Sequence, residues 1–287
     1  MRIGPRLGSA LLVPLLAVLI GFVVVPTIVL FGYSLYEWVF ASPTGALTLT
    51  NYVELLQSPI TWKVLETTLW IGIPVAVFSV AGGYAISYYI VFGRGRGRQL
   101  LFVLTVTALM ASYLVRVYAW RTLLGSKGVV NGGLEAAGLI DQPLDFILFS
   151  RTAVILGEVS LFMPLAALTF FAALSGISPD LREASRDLGA SRFQTLRRVT
   201  LPLSGPAILA TSALVFFLAA GDYLTPVFLG GPESVTLGRL IADSFGTTVD
   251  YGKGAALSVM VLVGFVLVYL LMRFVMRRTS LLPAWVS

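Results

Sequence analysis

The sequence predicts an all-α integral membrane protein with six transmembrane helices. Of its 287 residues, 57% are hydrophobic and only 12% are charged, and the mean hydropathy is +0.90. A soluble protein of this composition could not cover its surface with polar side chains, whereas a bilayer removes that requirement. Several apolar stretches are also long enough for the roughly 20 helical residues that a hydrocarbon core requires.

The chain is treated as a single transmembrane domain, residues 1–287. Its predicted spans lie at approximately 9–32, 64–92, 99–118, 152–174, 204–228 and 255–276. The first span follows Arg2 and Arg6, but its apolar run exceeds the roughly 7–15 residues of a signal-peptide core, so we expect a retained anchor, with removal as the alternative. A Gly-Arg repeat at 93–98 would be costly in lipid and predicts a tight loop between the second and third spans.

Charge places the loops on the two sides of the membrane. With a cytoplasmic N-terminus, alternating loops put about ten net positive charges inside and about four net negative charges elsewhere, as the positive-inside rule requires. Both termini and the loop between the fourth and fifth spans are therefore predicted to be cytoplasmic. This asymmetry also accounts for the net charge of +6 without a nucleic-acid partner.

The composition excludes most catalytic chemistry. The sequence contains neither cysteine nor histidine, which rules out disulfides, zinc sites built from those residues, and triads that depend on a histidine base. It also lacks the Gly-x-x-x-x-Gly-Lys-Ser/Thr phosphate loop that binds ATP. We therefore predict that the chain is not an enzyme and holds no metal or cofactor.

The loop at 177–203, between the fourth and fifth spans, is the longest charged stretch. Pro179, preceded by a serine cap, is typical of a helix start, and Gly189 is expected to end that helix. A second short helix is expected to open at Ala190 and to stop at Pro202. The sequence therefore predicts a helix, a break and a second helix.

Two partners could hold this loop at the membrane surface. Anionic lipid is one, because a basic amphipathic helix binds headgroups. The acids Asp180, Glu183 and Asp187 would be repelled by such headgroups. A mixed-charge surface with an apolar ridge is better suited to a groove in another protein.

Several positions at fixed spacing resemble the Glu-Ala-Ala loop of binding-protein-dependent ABC importer permeases. They are Glu183, Ala184, Ser185, Gly189, Val199, Leu201 and Pro202. The family pattern has alanine where Ser185 stands and isoleucine where Val199 stands, and both replacements are similar in shape. A literal Glu-Ala-Ala triplet at Glu135 lacks the glycine and the Leu-Pro of the pattern and is a chance match.

The resemblance implies a type I ABC importer permease fold whose loop is a coupling helix seated in a separate ATP-binding subunit. That subunit, as a dimer, would bind ATP and Mg²⁺. The residues expected to couple to it are Asp180, Glu183, Ala184, Ser185, Asp187, Gly189, Ala190, Val199, Leu201 and Pro202.

Other stretches are similar to the first permease of spermidine/putrescine-type importers. They are 112–120, 125–128 with Asn131, and 221–226 followed by two glycines at 230–231. The similarity implies a bacterial inner-membrane protein that forms half of a heterodimeric pore with a second permease subunit, supplied by a periplasmic binding protein. The substrate would be a polyamine or a related small cationic amine. An organic anion, a phosphonate or a sugar is the alternative substrate, and a non-ABC membrane scaffold is the alternative class.

Ionisable residues at membrane depth are candidates for the substrate pathway because burying them is costly. Arg116, Glu158 and Asp222 are such residues, and Tyr223 and Trp120 lie close to them in the sequence. Glu158 and Asp222 with Tyr223 could offer charge and a cation–π contact to an ammonium group. The alternative is that Arg116 pairs with one carboxylate and the set is structural. In the polyamine permeases an apolar residue is expected where Glu158 stands, so this pocket could suit a different amine.

Overall fold

The computed structural model describes residues 13–39, 42–45, 47–144, 147–279 and 281–282. Arg2 and Arg6, the beginning of the first predicted span and both chain termini lie outside the described residues. The predictions of a retained anchor and of cytoplasmic termini therefore stay predictions.

The described chain is almost entirely helical, with one short hairpin. Its elements are α1 (Val13–Ser34), β1 (Glu37–Val39), β2 (Ser42–Thr44), α2 (Thr50–Gln57), α3 (Pro59–Phe92), α4 (Gly97–Met110), α5 (Tyr113–Leu124), α6 (Val129–Ala136), α7 (Arg151–Ser175), α8 (Pro179–Asp187), α9 (Arg192–Gly221), α10 (Leu224–Leu229), α11 (Leu237–Gly246) and α12 (Tyr251–Arg278). Five of these helices are long and apolar enough to cross a membrane, and a bent pair of helices can supply a sixth span. The predicted all-α membrane class is confirmed.

The residues form two compact units. The first takes in the chain up to Trp62 together with Leu240–Gly264, and the second takes in Lys63–Arg239 together with the chain from Phe265 onward.

In the first unit, polar contacts join α2 to the neighbouring segments. The Asn51 amide donates to the carbonyl oxygens of Ser34, at 3.0 Å, and Tyr36, at 2.8 Å. The ammonium of Lys253 lies 2.9 Å from the Glu54 carboxylate. The hairpin, an addition to the predicted fold, pairs Glu37 with Thr44.

In the second unit, α7 is the central helix. It contacts α4, α5, α9 and α10. Its buried residues recur every three or four positions, as expected for a helix that packs against its neighbours along its whole length. They are Ala153, Val154, Gly157, Glu158, Leu161, Phe162, Ala166, Ala167, Phe170 and Leu174.

Small residues bring α3 unusually close to α7. A Cβ atom added at Gly83 would lie 2.8 Å from the Ala166 Cβ and 2.8 Å from the Ala167 nitrogen. One turn further along α3, the Ser87 hydroxyl donates to the Ala167 carbonyl oxygen. Helices in membranes associate through this kind of close contact, because lipid supplies no hydrophobic driving force between them.

The third predicted span, 99–118, is wrong as a continuous helix. The chain bends by 98° between α4 and α5. Ala111 and Ser112 adopt extended backbone conformations there, with ψ of 137° at both residues. With its 14 residues, α4 is only about 21 Å long, short of the roughly 30 Å of hydrocarbon that a span crosses. The two helices can therefore make one broken span or a re-entrant segment.

The fifth predicted span ends early and begins differently. Its helix, α9, stops at Gly221, and Asp222 and Tyr223 separate it from the short α10. The expectation that Pro202 stops a second short helix is also wrong, because α9 runs unbroken from Arg192 to Gly221.

Proline is accommodated in α9 by a preceding π turn. Residues 196–200 form that turn, and the Leu201 N–H donates to the Leu196 carbonyl oxygen, five residues back. The wider turn changes the hydrogen-bond register where Pro202 has no N–H to offer. The same arrangement occurs in α1, where the π turn Ile20–Val24 precedes Pro26.

Gly83→Val should lower the free energy of unfolding by about 1–3 kcal/mol, because the added side chain would push α3 away from α7. The unfolding midpoint in detergent measures this loss. Gly264→Val is the matched control, since a Cβ at Gly264 in α12 would meet no atom within 4 Å. Equal midpoints for the two variants would contradict the close α3–α7 contact.

Candidate functional site

The loop between α7 and α9 folds into a helix and a sharp turn, as predicted. The Ser178 hydroxyl accepts from the Asp180 N–H at 3.3 Å, which caps α8. Gly189 ends the helix with φ of +82°, a left-handed conformation in which glycine carries no steric cost. At the start of α9, Ser191 and Gln194 form a reciprocal capping box. The predicted end of α8 at Gly189 is confirmed.

A groove of about 530 Å³ lies in the angle between α8 and the beginning of α9. Part of the predicted coupling set lines it, together with residues that the sequence pattern did not single out. The first group is Ala184, Ser185, Gly189, Ala190 and Val199, and the second is Leu181, Leu188, Gln194 and Arg198. The Ser185 and Thr195 hydroxyls, 3.2 Å apart, join the two helices beneath it. This groove is called the α8–α9 groove below.

The remaining coupling candidates lie outside the groove. Asp180, Glu183 and Asp187 are exposed on α8. Leu201 and Pro202 are half-buried in α9, immediately after the π turn. A partner protein could therefore contact the three acids directly, whereas Leu201 and Pro202 are partly covered by this chain itself.

Exposed apolar side chains flank the α8–α9 groove. Leu188 is 90% exposed and Phe193 is 69% exposed. Large apolar side chains this exposed, in a charged stretch beside an apolar-lined groove, are typical of a surface that another protein covers. The sequence signal for Leu188 was its place next to the helix-ending Gly189.

Arg182 anchors α8 to the end of α3. Its guanidinium lies 3.5 Å from the centroid of the Phe92 ring and 6.0 Å from that of Tyr88. Such a cation–π stack fixes the orientation of α8 relative to the bundle. Nothing in the sequence distinguishes Arg182 from the other arginines of this loop.

A second constellation lies where α5, α7 and α10 meet. The Asp222 carboxylate accepts from the N–H of Leu224 at 2.9 Å and from the Thr225 hydroxyl at 2.5 Å, and it also accepts from the Tyr113 hydroxyl. It thereby binds the first turn of α10 and links it to α5. Tyr113 and Thr225 were not predicted, since hydroxyl residues are common and their spacing carries no signal here.

Glu158 is an acid like Asp222, but its burial and its hydrogen bonding are different. Its side chain is fully buried on α7, and neither carboxylate oxygen has a hydrogen-bond partner among the described residues. Next to it, a Cβ at Gly157 would lie 2.6 Å from the Leu229 Cδ1 atom of α10. Glu158 is also close enough to Asp222 to interact with it electrostatically. A buried, unsatisfied carboxyl group is costly to the fold.

The other three pathway candidates have separate surroundings. Arg116 donates to the carbonyl oxygens of Ser160, at 3.3 Å, and Leu161, and in the described part of the chain it forms no ion pair with Glu158 or Asp222. The Trp120 indole N–H donates to the Ser160 hydroxyl at 2.7 Å. Tyr223 is exposed in the break between α9 and α10. The expected alternative, an Arg116–carboxylate pair, is not formed.

The contacts of Arg116 and Trp120 hold α5 against α7, which gives both residues a structural role. Neither acid forms an ion pair with a described residue.

These helices and their charged loop define a multi-span membrane permease. Residues 79–281 match the family model of the binding-protein-dependent transport system inner membrane component. The chain belongs to this family and is a permease subunit of an ABC importer.

Similar proteins include permeases for polyamines and for sugars. The chain is 30% identical to the spermidine/putrescine transport system permease protein PotB of Escherichia coli K12 over 87% of this chain and 90% of that protein. Identity to the Haemophilus influenzae PotB is also 30%, over 91% and 90% of the two chains. The trehalose/maltose permease MalF of Thermococcus litoralis is 26% identical over 92% of each chain.

Solved structures support the fold. A bacterial alginate ABC transporter, in complex with its alginate-bound periplasmic protein, contains a chain that matches with a TM-score of 0.78 at 20% identity, covering 96% of this chain and 95% of that one. The MetNI methionine ABC transporter contains a chain that matches with a TM-score of 0.55 at 18% identity, covering 78% and 97%. The predicted type I importer permease fold is confirmed.

The two acids should respond differently to removal. Asp222→Ala should lower the free energy of unfolding by about 1–3 kcal/mol, because several donors lose their acceptor. Glu158→Met, of similar volume, should leave it unchanged or raise it, because no hydrogen bond is lost and a buried polar group is removed. Unfolding midpoints in detergent measure both effects. A loss in Glu158→Met as large as that in Asp222→Ala would reveal a structural role for Glu158.

Proposed function

We propose that this chain forms half of the pore of an ATP-driven importer for a polyamine or a related small amine. The observation that carries the substrate class is the pair of acids, Glu158 and Asp222, without an ion pair to Arg116. An ammonium group would supply the positive charge that neither acid finds in an ion pair, and hydrogen-bond donors for Glu158. The 30% identity to spermidine/putrescine permeases supports the same class.

The access of substrate to Glu158 requires a conformational change. The carboxyl group is fully enclosed by packed helices, so an ammonium group could reach it only when α5 or α10 moves away from α7. Alternating access supplies such a movement, since transport subunits expose a central site to each side in turn. The described conformation then corresponds to a closed pathway.

The proposed partners follow from the loop. An ATP-binding subunit, as a dimer that binds ATP and Mg²⁺, would cover the acids of α8 and the exposed Leu188. This assignment puts the α8–α9 groove on the cytoplasmic side of a bacterial inner membrane, with both termini. A second permease subunit would complete the pore, and a periplasmic binding protein would deliver the substrate.

A sugar is the second candidate substrate. The 26% identity to a trehalose/maltose permease favours it, and a neutral sugar could hydrogen-bond to the Asp222 cluster. It would leave the charge of the acids uncompensated, which is why we rank it below an amine.

Glu183→Arg should abolish transport by the assembled importer, because an exposed acid of α8 is replaced by an opposite charge in the proposed interface. Binding of the ATP-binding subunit to the purified permease should fall, while the unfolding midpoint stays constant. Glu135→Arg is the matched control, since Glu135 belongs to the literal Glu-Ala-Ala triplet on α6. Normal transport in Glu183→Arg would refute the docking role of α8.

Glu158→Gln should reduce the stimulation of ATP hydrolysis by spermidine roughly tenfold in the assembled importer, because the ammonium loses a charged partner. Asp222→Asn should act in the same direction. Glu66→Gln, at an exposed position of α3, is the control and should leave the stimulation unchanged.

Unchanged stimulation in both acid variants would rule out the cation site. Stimulation of the wild-type importer by maltose, with none by spermidine, would favour the sugar instead.

A further inference from the structure

A second groove lies at the end of the bundle where α3 turns into α4. Its volume is about 700 Å³, and three helices line it. The lining residues are Ile90 and Val91 of α3, Arg98, Gln99, Phe102 and Val103 of α4, and Phe171 and Ser175 of α7. We call it the α3–α4 groove.

The α3–α4 groove is polar at one end and apolar at the other. Arg98 and Gln99 stand at the beginning of α4, next to a turn that is too basic to enter hydrocarbon. Deeper along α4, Phe102 packs against Phe171 with ring centroids 4.9 Å apart. The groove therefore crosses the boundary between water and the hydrocarbon core.

The three arginines at this turn form no ion pair within the described part of the chain. Arg94, Arg96 and Arg98 are exposed, and none of them forms an ion pair with any of the described residues. Glycine is required in this turn, because Gly95 has φ of +92° and a Cβ at Gly93, just before Arg94, would overlap the Tyr89 carbonyl oxygen. Arg98 thus lines the groove itself, and Arg96 and Arg94 add exposed positive charge two and four residues before it.

The apolar wall of the groove continues onto a surface suited to lipid. Leu100, Val103 and Leu104 of α4 are 62%, 58% and 54% exposed. Exposed apolar side chains on a helix in a membrane segment face acyl chains, whereas a soluble partner would need polar groups along this wall.

We propose that the α3–α4 groove binds an anionic phospholipid of the surrounding bilayer. Its phosphate would lie against Arg98, with Arg94 and Arg96 adding positive potential, and an acyl chain would lie along Phe102 and Val103. Basic pockets at the membrane boundary recognise such headgroups through charge and hydrogen bonds, and the apolar wall adds the specificity for a lipid over a free phosphate. This site is separate from the substrate pathway and does not depend on the substrate.

Native mass spectrometry of the full purified chain tests the site, with phosphatidylglycerol and phosphatidylcholine as probes. The wild-type chain should retain phosphatidylglycerol in preference to phosphatidylcholine. Arg98→Gln should lower its affinity for phosphatidylglycerol about fivefold, as expected for the loss of one cation at the headgroup. Val103→Trp should lower the affinity for both lipids, because the indole fills the groove.

Two control variants make the same kinds of substitution at positions outside the groove. Arg277→Gln removes an exposed arginine at the end of α12, and Val263→Trp enlarges an exposed valine within α12. Both should retain phosphatidylglycerol like the wild type. If Arg98→Gln and Arg277→Gln behaved alike, the retention would reflect general surface charge and the site would be refuted.

Two further outcomes would overturn the proposal. Displacement of phosphatidylglycerol by glycerol phosphate at equal concentration would identify a site for soluble anions. Release of the lipid when the chain assembles with a second permease subunit would assign the groove to that protein.

Discussion

The close packing of α7 is the constraint on which the second unit depends. In lipid, helices gain little from burying apolar surface and associate through van der Waals contact, which requires small residues at the crossing points. Gly83 admits the backbone of α7 from one side, and Gly157 admits Leu229 of α10 from another. Because α5 and α10 are then held against the same helix, Glu158 is fully buried, and neither of its carboxylate oxygens accepts a hydrogen bond from a described residue.

The positions of the two acids in the fold indicate which of them has a structural role. Asp222 lies at a break between helices, where free N–H groups need an acceptor, and its hydrogen bonds account for its presence without any ligand. Glu158 lies within a regular helix whose N–H groups are already paired. Its carboxyl group therefore makes no hydrogen bond that would offset the cost of its burial. A residue that weakens the packed state is a stronger functional candidate than one that the packed state needs.

Much of the fold could be predicted from the sequence because membrane spans follow from length and hydropathy alone. The helices α3, α7 and α12 enclose their predicted spans and extend a few residues beyond them. The serine before α8 and the glycine after it predicted where that helix begins and ends. The bend after Met110 could not be predicted, since neither proline nor glycine occurs at Ala111 and Ser112. It is stabilised by contacts distant in sequence, such as the bond from Tyr113 to Asp222. For the same reason the Arg182–Phe92 stack could not be predicted from the sequence.

The continuity of α9 through Pro202 has the largest mechanical consequence. Two short helices separated from the fifth span would be flexible, and movement of the loop would be lost at each joint. Instead, α9 is one helix of 30 residues, about 45 Å long, that begins beside the α8–α9 groove and ends next to Asp222. The π turn lets the helix pass the proline without a break. In the proposed importer, a displacement of α8 by the ATP-binding subunit would therefore act on one end of a continuous helix. The other end adjoins the segment that carries Asp222 and packs α10 over Glu158, so the acid cluster lies where such a displacement would open or close the pathway.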